Sequence, residues 1–265
     1  MRNKMKKIIV SDLDGTLLSY QNGKAIISEE NIKMIKLWQK DNYFTIATGR
    51  NVYEVKEFLK EAGIIPNTYL ICSNGAILYD YDNDVIVNEE NMPITYALEI
   101  LQYFKNNDCG YLSMSTNSDS FNINHQVSVD KYQKIVNLIE NNKITKMGYY
   151  FKGYPIKEIY NDLSKFAGVE EVDLIFSSDT YLDIQGKTTS KGKALNKLRK
   201  HLKEANKIYA IGDYLNDYDL LLNSDLAFAP NNSAKEIIEI ADYIVSDCHN
   251  HAVAEMVEII IKEQL

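Results

Sequence analysis

Short apolar runs recur along the chain, each followed by a polar turn and then by apolar residues at helical spacing. Ile8-Ile9-Val10, Tyr43-Phe44-Thr45-Ile46-Ala47, Tyr69-Leu70-Ile71-Cys72, Ile208-Tyr209-Ala210-Ile211, Leu226-Ala227-Phe228-Ala229 and Tyr243-Ile244-Val245 leave no regular solvent side. That suits parallel strands covered on both faces. Between them, Ile32, Ile35 and Trp38, then Val52, Val55, Phe58 and Leu59, then Ala194, Leu195, Leu198 and Leu202 each form one helical stripe. Further helices are expected near 234–240 and 252–261. Ser28 ahead of Glu29 and Glu30 reads as a helix cap with an acidic first turn, and Asn22-Gly23 between two short runs is a strong hairpin signal. Strands alternating with amphipathic helices indicate an α/β chain.

The pattern changes between about Asp82 and Gly186, where Tyr, Asn and Ser rise and strands and helices interleave less regularly. Helices are expected over 95–107, 129–141 and 155–166, the last with Pro155 in its first turn and Gly168 beyond its end. Strands are expected over 111–115, 120–124, 144–151, 171–177 and 180–184. This stretch reads as an insertion, dividing the chain into 1–81, 82–186 and 187–265.

Candidate chemistry gathers where the apolar strands stop. The first strand runs into Asp12-Leu13-Asp14-Gly15-Thr16 and the fourth into Gly212-Asp213-Tyr214-Leu215-Asn216-Asp217. The carboxyl ends of parallel strands are where ligands bind in open α/β sheets. Asp and Gly also favour turns, so either acidic run alone is equally a strand end. Two such ends together are harder to explain, because like charges at one sheet edge repel without a cation, and hard oxygen donors suit Mg²⁺. An EF-hand is excluded by counting, since Thr16, Leu17 and Gly23 occupy the positions that need an acid or amide, Gly and Glu. A nucleotide P-loop at Gly186-Lys187-Thr188 is excluded because Tyr181 stands where the earlier glycine belongs. Thr48-Gly49-Arg50 precedes a helix, where amides and dipole favour an anion. Lys191 opens another helix, whereas Lys193, Lys197 and Lys200 read as its solvated face. Asn74 is either a left-handed turn residue or a substrate contact at the active edge. His249 and His251 beside Cys248 read as exposed loop residues rather than as a soft-metal site.

Charge and cysteine content narrow the classes. A net charge of −8 over 265 residues argues against a broad nucleic-acid-binding face while permitting a small anion site. Three unpatterned cysteines indicate neither a disulfide framework nor a zinc site and fit a reducing cytoplasm. The basic residues 1–7 precede an apolar run too short for a signal peptide, and no stretch approaches the ~18 apolar residues of a membrane span.

Asp12-Leu13-Asp14-Gly15-Thr16, Thr48-Gly49-Arg50, Ser190-Lys191-Gly192 and Gly212-Asp213-Tyr214-Leu215-Asn216-Asp217 resemble, in order, the four motifs of the haloacid dehalogenase-like phosphatases. Ser73-Asn74-Gly75-Ala76 resembles the Cof-type branch. Pro230-Asn231-Asn232 departs from the Gly-Asn-Ala common in relatives, so no family role is carried to the Asn231 amide. The resemblance implies a Rossmann-like parallel-sheet core with an α+β cap inserted after the third core strand, the cap admitting and selecting substrate. It implies Asp12 as nucleophile and Asp14 as general acid and base. Mg²⁺ would be held by Asp12, the Asp14 carbonyl and Asp213, with Asp217 supporting it. Thr48, Lys191, Asn216 and the Leu13 and Gly49 amides would hold the phosphoryl group, and Arg50 and Asn74 are candidate substrate contacts. The expected activity is hydrolysis of small phosphorylated metabolites, such as sugar phosphates, through an aspartyl phosphate. A phosphomutase with the same nucleophile and a phosphometabolite sensor without turnover are the alternatives; no nucleic-acid or membrane partner is expected.

Overall fold

The computed structural model describes residues 5–151, 153–203 and 205–265. Residues 1–4 of the basic lead lie outside the described residues. Two compact units emerge, one formed by Met1–Val87 with Ser190–Leu265 and the other by Asn88–Thr189.

In the first unit, five strands form a parallel sheet in the order Tyr243–Val245, Leu226–Pro230, Ala205–Ile211, Lys6–Ser11, Tyr43–Ile46. The Lys6–Ser11 strand is covered on both faces, as its β-branched run requires. Ile9 joins a cluster with Ile35, Trp38, Val55, Val253 and Met256, while Ile8 and Val10 join one with Ala194, Leu195, Leu198 and Leu220. Helices therefore pack on both sides. Glu29–Trp38, Val52–Glu61 and Ala252–Lys262 supply one layer, and Lys191–His201, Tyr218–Leu222 and Lys235–Ile240 the other.

Register positions the site. Ser11 pairs with Ile211 on one side and with Ile46 on the other, so Asp12, Asp213 and Thr48 emerge just beyond the same edge. The Asp12 amide donates to the Ile211 carbonyl at 2.8 Å, extending the ladder by one bond.

Tyr69–Cys72 is a strand, but it meets the parallel sheet through a single bridge, Ala47 to Ile71. Its own ladder is antiparallel with Ile77–Asp80, in a three-stranded sheet completed by Val85–Glu89. The intervening Ser73, Asn74 and Gly75 all have positive φ (50°, 52° and 91°) and turn the chain straight back. The Asn22-Gly23 turn, with φ of 51° and 77°, joins Ser19–Gln21 to Lys24–Ile26 as a hairpin. Both central residues left-handed is the type I′ pattern whose twist suits paired strands.

The Asn88–Thr189 unit is built on an antiparallel sheet in the order Val172–Ser178, Tyr181–Gly186, Lys146–Tyr150, Tyr111–Ser115, Ser120–Ile123. Leu112, Met114, Met147, Tyr149, Leu182 and Ile184 point to one face and pack with Ile100, Phe104, Ile135 and Ile159 from three helices. The alternate positions are polar, including a buried Lys146–Asp183 ion pair at 2.6 Å. This two-residue alternation is what an antiparallel sheet with one apolar face demands.

Candidate active site

Asp12 follows the last residue of a strand whose Ile8–Ser11 stretch is buried, and is itself nearly buried, at 5% exposure. Lys191 is the first residue of the Lys191–His201 helix, whose cap is the Ser190 hydroxyl accepting from the Lys193 amide. Its side chain is wholly buried and its Nζ lies 2.6 Å from Asp12 Oδ1 and 2.5 Å from Asp217 Oδ1. Burial works against the ammonium, but the two carboxylates outweigh it and hold the Lys191 pKa above its ordinary value.

The other oxygen of Asp217 accepts from the Asp213 and Tyr214 amides at 3.1 and 3.3 Å. One carboxylate thus braces the lysine and fixes the loop carrying Asp213. Thr16 Oγ1 donates to Asp213 Oδ1 at 3.1 Å, tying the first acidic loop to the second. Gly15 makes that approach feasible. Its φ is +83°, and a Cβ there would fall 2.4 Å from Asp213 Oδ2. Asn232 adds a further tie, donating to the Gly15 carbonyl at 3.1 Å while accepting from the Cys248 amide at 3.0 Å.

Carboxylate oxygens of Asp12, Asp213 and Asp217 all lie within 4.8 Å of one another, the one such grouping of His, Cys, Asp or Glu among the described residues. The buried Lys191 supplies a single positive charge against three carboxylates. Burial, then Asp217, push the Asp12 carboxyl well above its ordinary range despite Lys191, and burial and Asp217 push Asp213 up to about 7. Uncompensated negative charge on hard oxygen donors is the donor set of a divalent cation such as Mg²⁺. The residues fit that ion.

Asp14 stands apart from this trio. Its Oδ2 accepts from Arg50 Nε at 2.9 Å and its Oδ1 from Arg50 Nη2 at 2.6 Å and the Tyr20 hydroxyl at 2.8 Å. Burial works to raise its pKa, but the Arg50 hydrogen bonds and charge, with the Tyr20 hydroxyl, hold the carboxyl below its ordinary value. Arg50, expected as a candidate substrate contact, has its guanidinium on this carboxylate.

Thr48 is buried, its carbonyl accepting from the Asn74 amide at 2.9 Å and its hydroxyl from the Arg50 amide at 3.2 Å. Gly49 lies between them, ahead of the Val52–Glu61 helix and its reciprocal Asn51–Glu54 cap. Asn74 takes the left-handed turn conformation, and its side-chain oxygen accepts from Asn216 at 3.4 Å. Leu13, between the two acids, has its side chain fully buried in the core. Near the carboxyl end, the Asp247 side chain accepts from the His249 and Asn250 amides; His249 is exposed as expected, whereas His251 is half-buried and Cys248 is buried.

Thr16, Tyr20 and Asn232 carry no role in the sequence reading. Thr16 was within reach, standing inside the first acidic motif; Asn232 stands in the Pro230-Asn231-Asn232 run, which reads only as a departure from Gly-Asn-Ala, and Tyr20 belongs to no motif, so the contacts of both depend on the tertiary fold.

A family model described as haloacid dehalogenase-like hydrolase matches residues 9–257. Phosphatase YwpJ of Bacillus subtilis (strain 168) is 25% identical over 289 residues, covering 95% of this chain and 99% of that protein. The 5-amino-6-(5-phospho-D-ribitylamino)uracil phosphatase YcsE of the same organism is 26% identical over 254 residues, covering 95% of this chain and 94% of that one. A solved haloacid dehalogenase-like hydrolase from B. subtilis shares the fold with a TM-score of 0.78 at 22% identity, over 95% of this chain and 99% of its own.

Proposed function

Because this chain belongs to the haloacid dehalogenase-like hydrolase family and is a phosphoric monoester hydrolase, we propose that it is a Mg²⁺-dependent phosphatase of small phosphorylated metabolites acting through an aspartyl phosphate. The observation that carries this reading is Asp12: a nearly buried carboxylate at a strand end, held at 2.6 Å by a buried lysine, with two further carboxylates within 4.8 Å. Sugar and polyol phosphates are the favoured substrates. The likeness to a phosphatase acting on a phosphoribityl compound supports that class. The three free, buried cysteines fit action in the cytoplasm.

Asp12 would attack phosphorus in line with the departing alkoxide, forming a carboxyl–phosphorus bond as the ester bond breaks. Asp14 would deliver a proton to the leaving oxygen and later take one from the attacking water. Lys191 neutralises charge between nucleophile and dianion, while Thr48 and the Leu13 and Gly49 amides would hold the phosphoryl oxygens. Asn216, bonded to Asn74, would orient that group. When bound by Asp12, Asp213 and the Asp14 carbonyl, with Asp217 in support, the cation would supply further electrostatic stabilisation of the transferring group. The inserted Asn88–Thr189 unit would set specificity.

Orthophosphate release from p-nitrophenyl phosphate and a panel of sugar and polyol phosphates tests the proposal. Turnover should require Mg²⁺, stop with chelator and vanish in Asp12→Asn while the circular dichroism spectrum is unchanged. Undiminished release by Asp12→Asn would refute the nucleophile. Isomerised product without orthophosphate would refute hydrolysis.

A further inference from the structure

Tyr20, Asp14 and Arg50 form a closed ring of hydrogen bonds. Arg50 presents a fork to both Asp14 oxygens, Tyr20 donates to Oδ1, and Arg50 Nη2 also donates to the Tyr20 hydroxyl at 3.2 Å. The type I′ hairpin holds Tyr20 in place from one side. From the other, the Arg50 amide is bonded to Thr48 Oγ1, and its guanidinium lies 5.9 Å from the Phe58 ring centroid. A lone exposed ion pair is worth little, but a two-point fork with a third donor fixes orientation. Oδ1 already accepts two hydrogen bonds, whereas Oδ2 accepts one and keeps a lone pair for another donor.

We propose that Arg50 and Tyr20 are positioning residues that aim Asp14 Oδ2 at the hydrolytic water, so that they serve the second half-reaction more than the first. The assignment rests on the phosphatase reading above. In that half-reaction a water O–H bond breaks and its proton passes to Asp14 Oδ2. The water oxygen bonds phosphorus, the bond from phosphorus to the Asp12 carboxyl breaks, and its electron pair returns to Asp12 as orthophosphate leaves. The three donors keep that carboxylate ionised and fix its orientation, leaving the free lone pair of Oδ2 as the place for the proton. On this assignment Arg50 acts through Asp14.

The test is rapid-mixing kinetics with p-nitrophenyl phosphate and Mg²⁺, because nitrophenolate departs without a proton donor and isolates the second step. Tyr20→Phe, Arg50→Lys and Arg50→Gln are compared with the wild-type chain, with melting curves as the check on folding; the exposed, hairpin-borne Tyr20→Phe retains the Arg50 fork. The variants should show a nitrophenolate burst approaching one per site, accumulated phosphoenzyme and a slower steady state. The expected steady-state loss is about tenfold for Arg50→Gln, less for Tyr20→Phe, with partial recovery in Arg50→Lys. A rise in KM for every substrate at unchanged kcat would overturn the assignment in favour of direct phosphate binding by Arg50. Burst and steady state falling together, or neither changing, would overturn it as well. A wild-type chain that releases no nitrophenolate would instead overturn the phosphatase reading, and this assignment with it.

Discussion

Removing divalent cations should make the core sensitive to alkali in a pH range where most proteins are indifferent. Asp213 has its pKa pushed up to about 7 from 3.8, chiefly by burial and by Asp217, and Asp12 is displaced in the same direction. A carboxyl whose folded pKa lies above its unfolded one leaves stability at its fullest below the unfolded value, where it is neutral in both states. Stability then falls as pH rises through the folded pKa, because the folded state must hold a proton that the unfolded chain has released. For Asp213 alone, integrating from about pH 5 to about pH 8 gives a loss of about 2–3 kcal/mol. In a core of this size that lowers the melting temperature by roughly 5–10 °C. Asp14, Asp80 and Asp247 are displaced downwards, so their contributions change below the ordinary carboxylate range and leave this window undisturbed.

The assay is thermal unfolding of the chelated protein at the two pH values, repeated with millimolar Mg²⁺. The cation competes with protons for the ionised carboxylates, so it should raise the melting temperature more at the higher pH than at the lower. Equal melting temperatures for the chelated protein, or an equal shift by Mg²⁺ at both pH values, would refute the claim that Asp12, Asp213 and Asp217 form an uncompensated anionic cage.

Lys191→Ala should lose activity by about a hundredfold or more and also destabilise the fold by about 3–5 kcal/mol, because it strips two buried carboxylates of their partner; orthophosphate release and denaturant titration read both effects, and a fully active variant would refute the lysine's role. Gly15→Ala should lower turnover severely and destabilise by about 1–2 kcal/mol, since it demands a left-handed alanine with a Cβ 2.4 Å from Asp213 Oδ2; weaker Mg²⁺ dependence of its melting temperature would show Asp213 displaced, and a wild-type response would show that the loop yields without disturbing it.

The α/β class and the acidic strand edge were legible because strong local patterns carry them. Continuous β-branched runs name the buried strands, and the acids that follow must then lie at the carboxyl edge, where Asp12, Lys191, Asp213 and Asp217 do come together. What escaped the sequence is pairing at a distance. Thr48-Gly49-Arg50 shows a cation beside an anion site but does not show which anion the long side chain reaches, and it reaches Asp14. Tyr20 sits in no motif; only the hairpin geometry carries its hydroxyl to the same carboxylate. Tyr69–Cys72 reads as one more parallel strand, and its bridge to the sheet, Ala47 to Ile71, is parallel; what left little compositional trace is the left-handed turn at Ser73–Gly75 that adds an antiparallel ladder with Ile77–Asp80.

The site depends on register as much as on motif. Strand side chains alternate between faces, so a one-residue slip between Lys6–Ser11 and Ala205–Ile211 would shift every side chain of one strand against the other, exchanging the apolar sets that pack on Ile9 and on Val10. The same slip would separate Asp213 from the Thr16 hydroxyl and from the oxygens of Asp12. The hydrophobic core therefore enforces the geometry of the charges. Ile8, Ile9 and Val10, which touch no substrate in the proposed chemistry, set where the nucleophile stands by making any other pairing bury the wrong faces, and the electrostatic strain among the carboxylates is sustained by that packing.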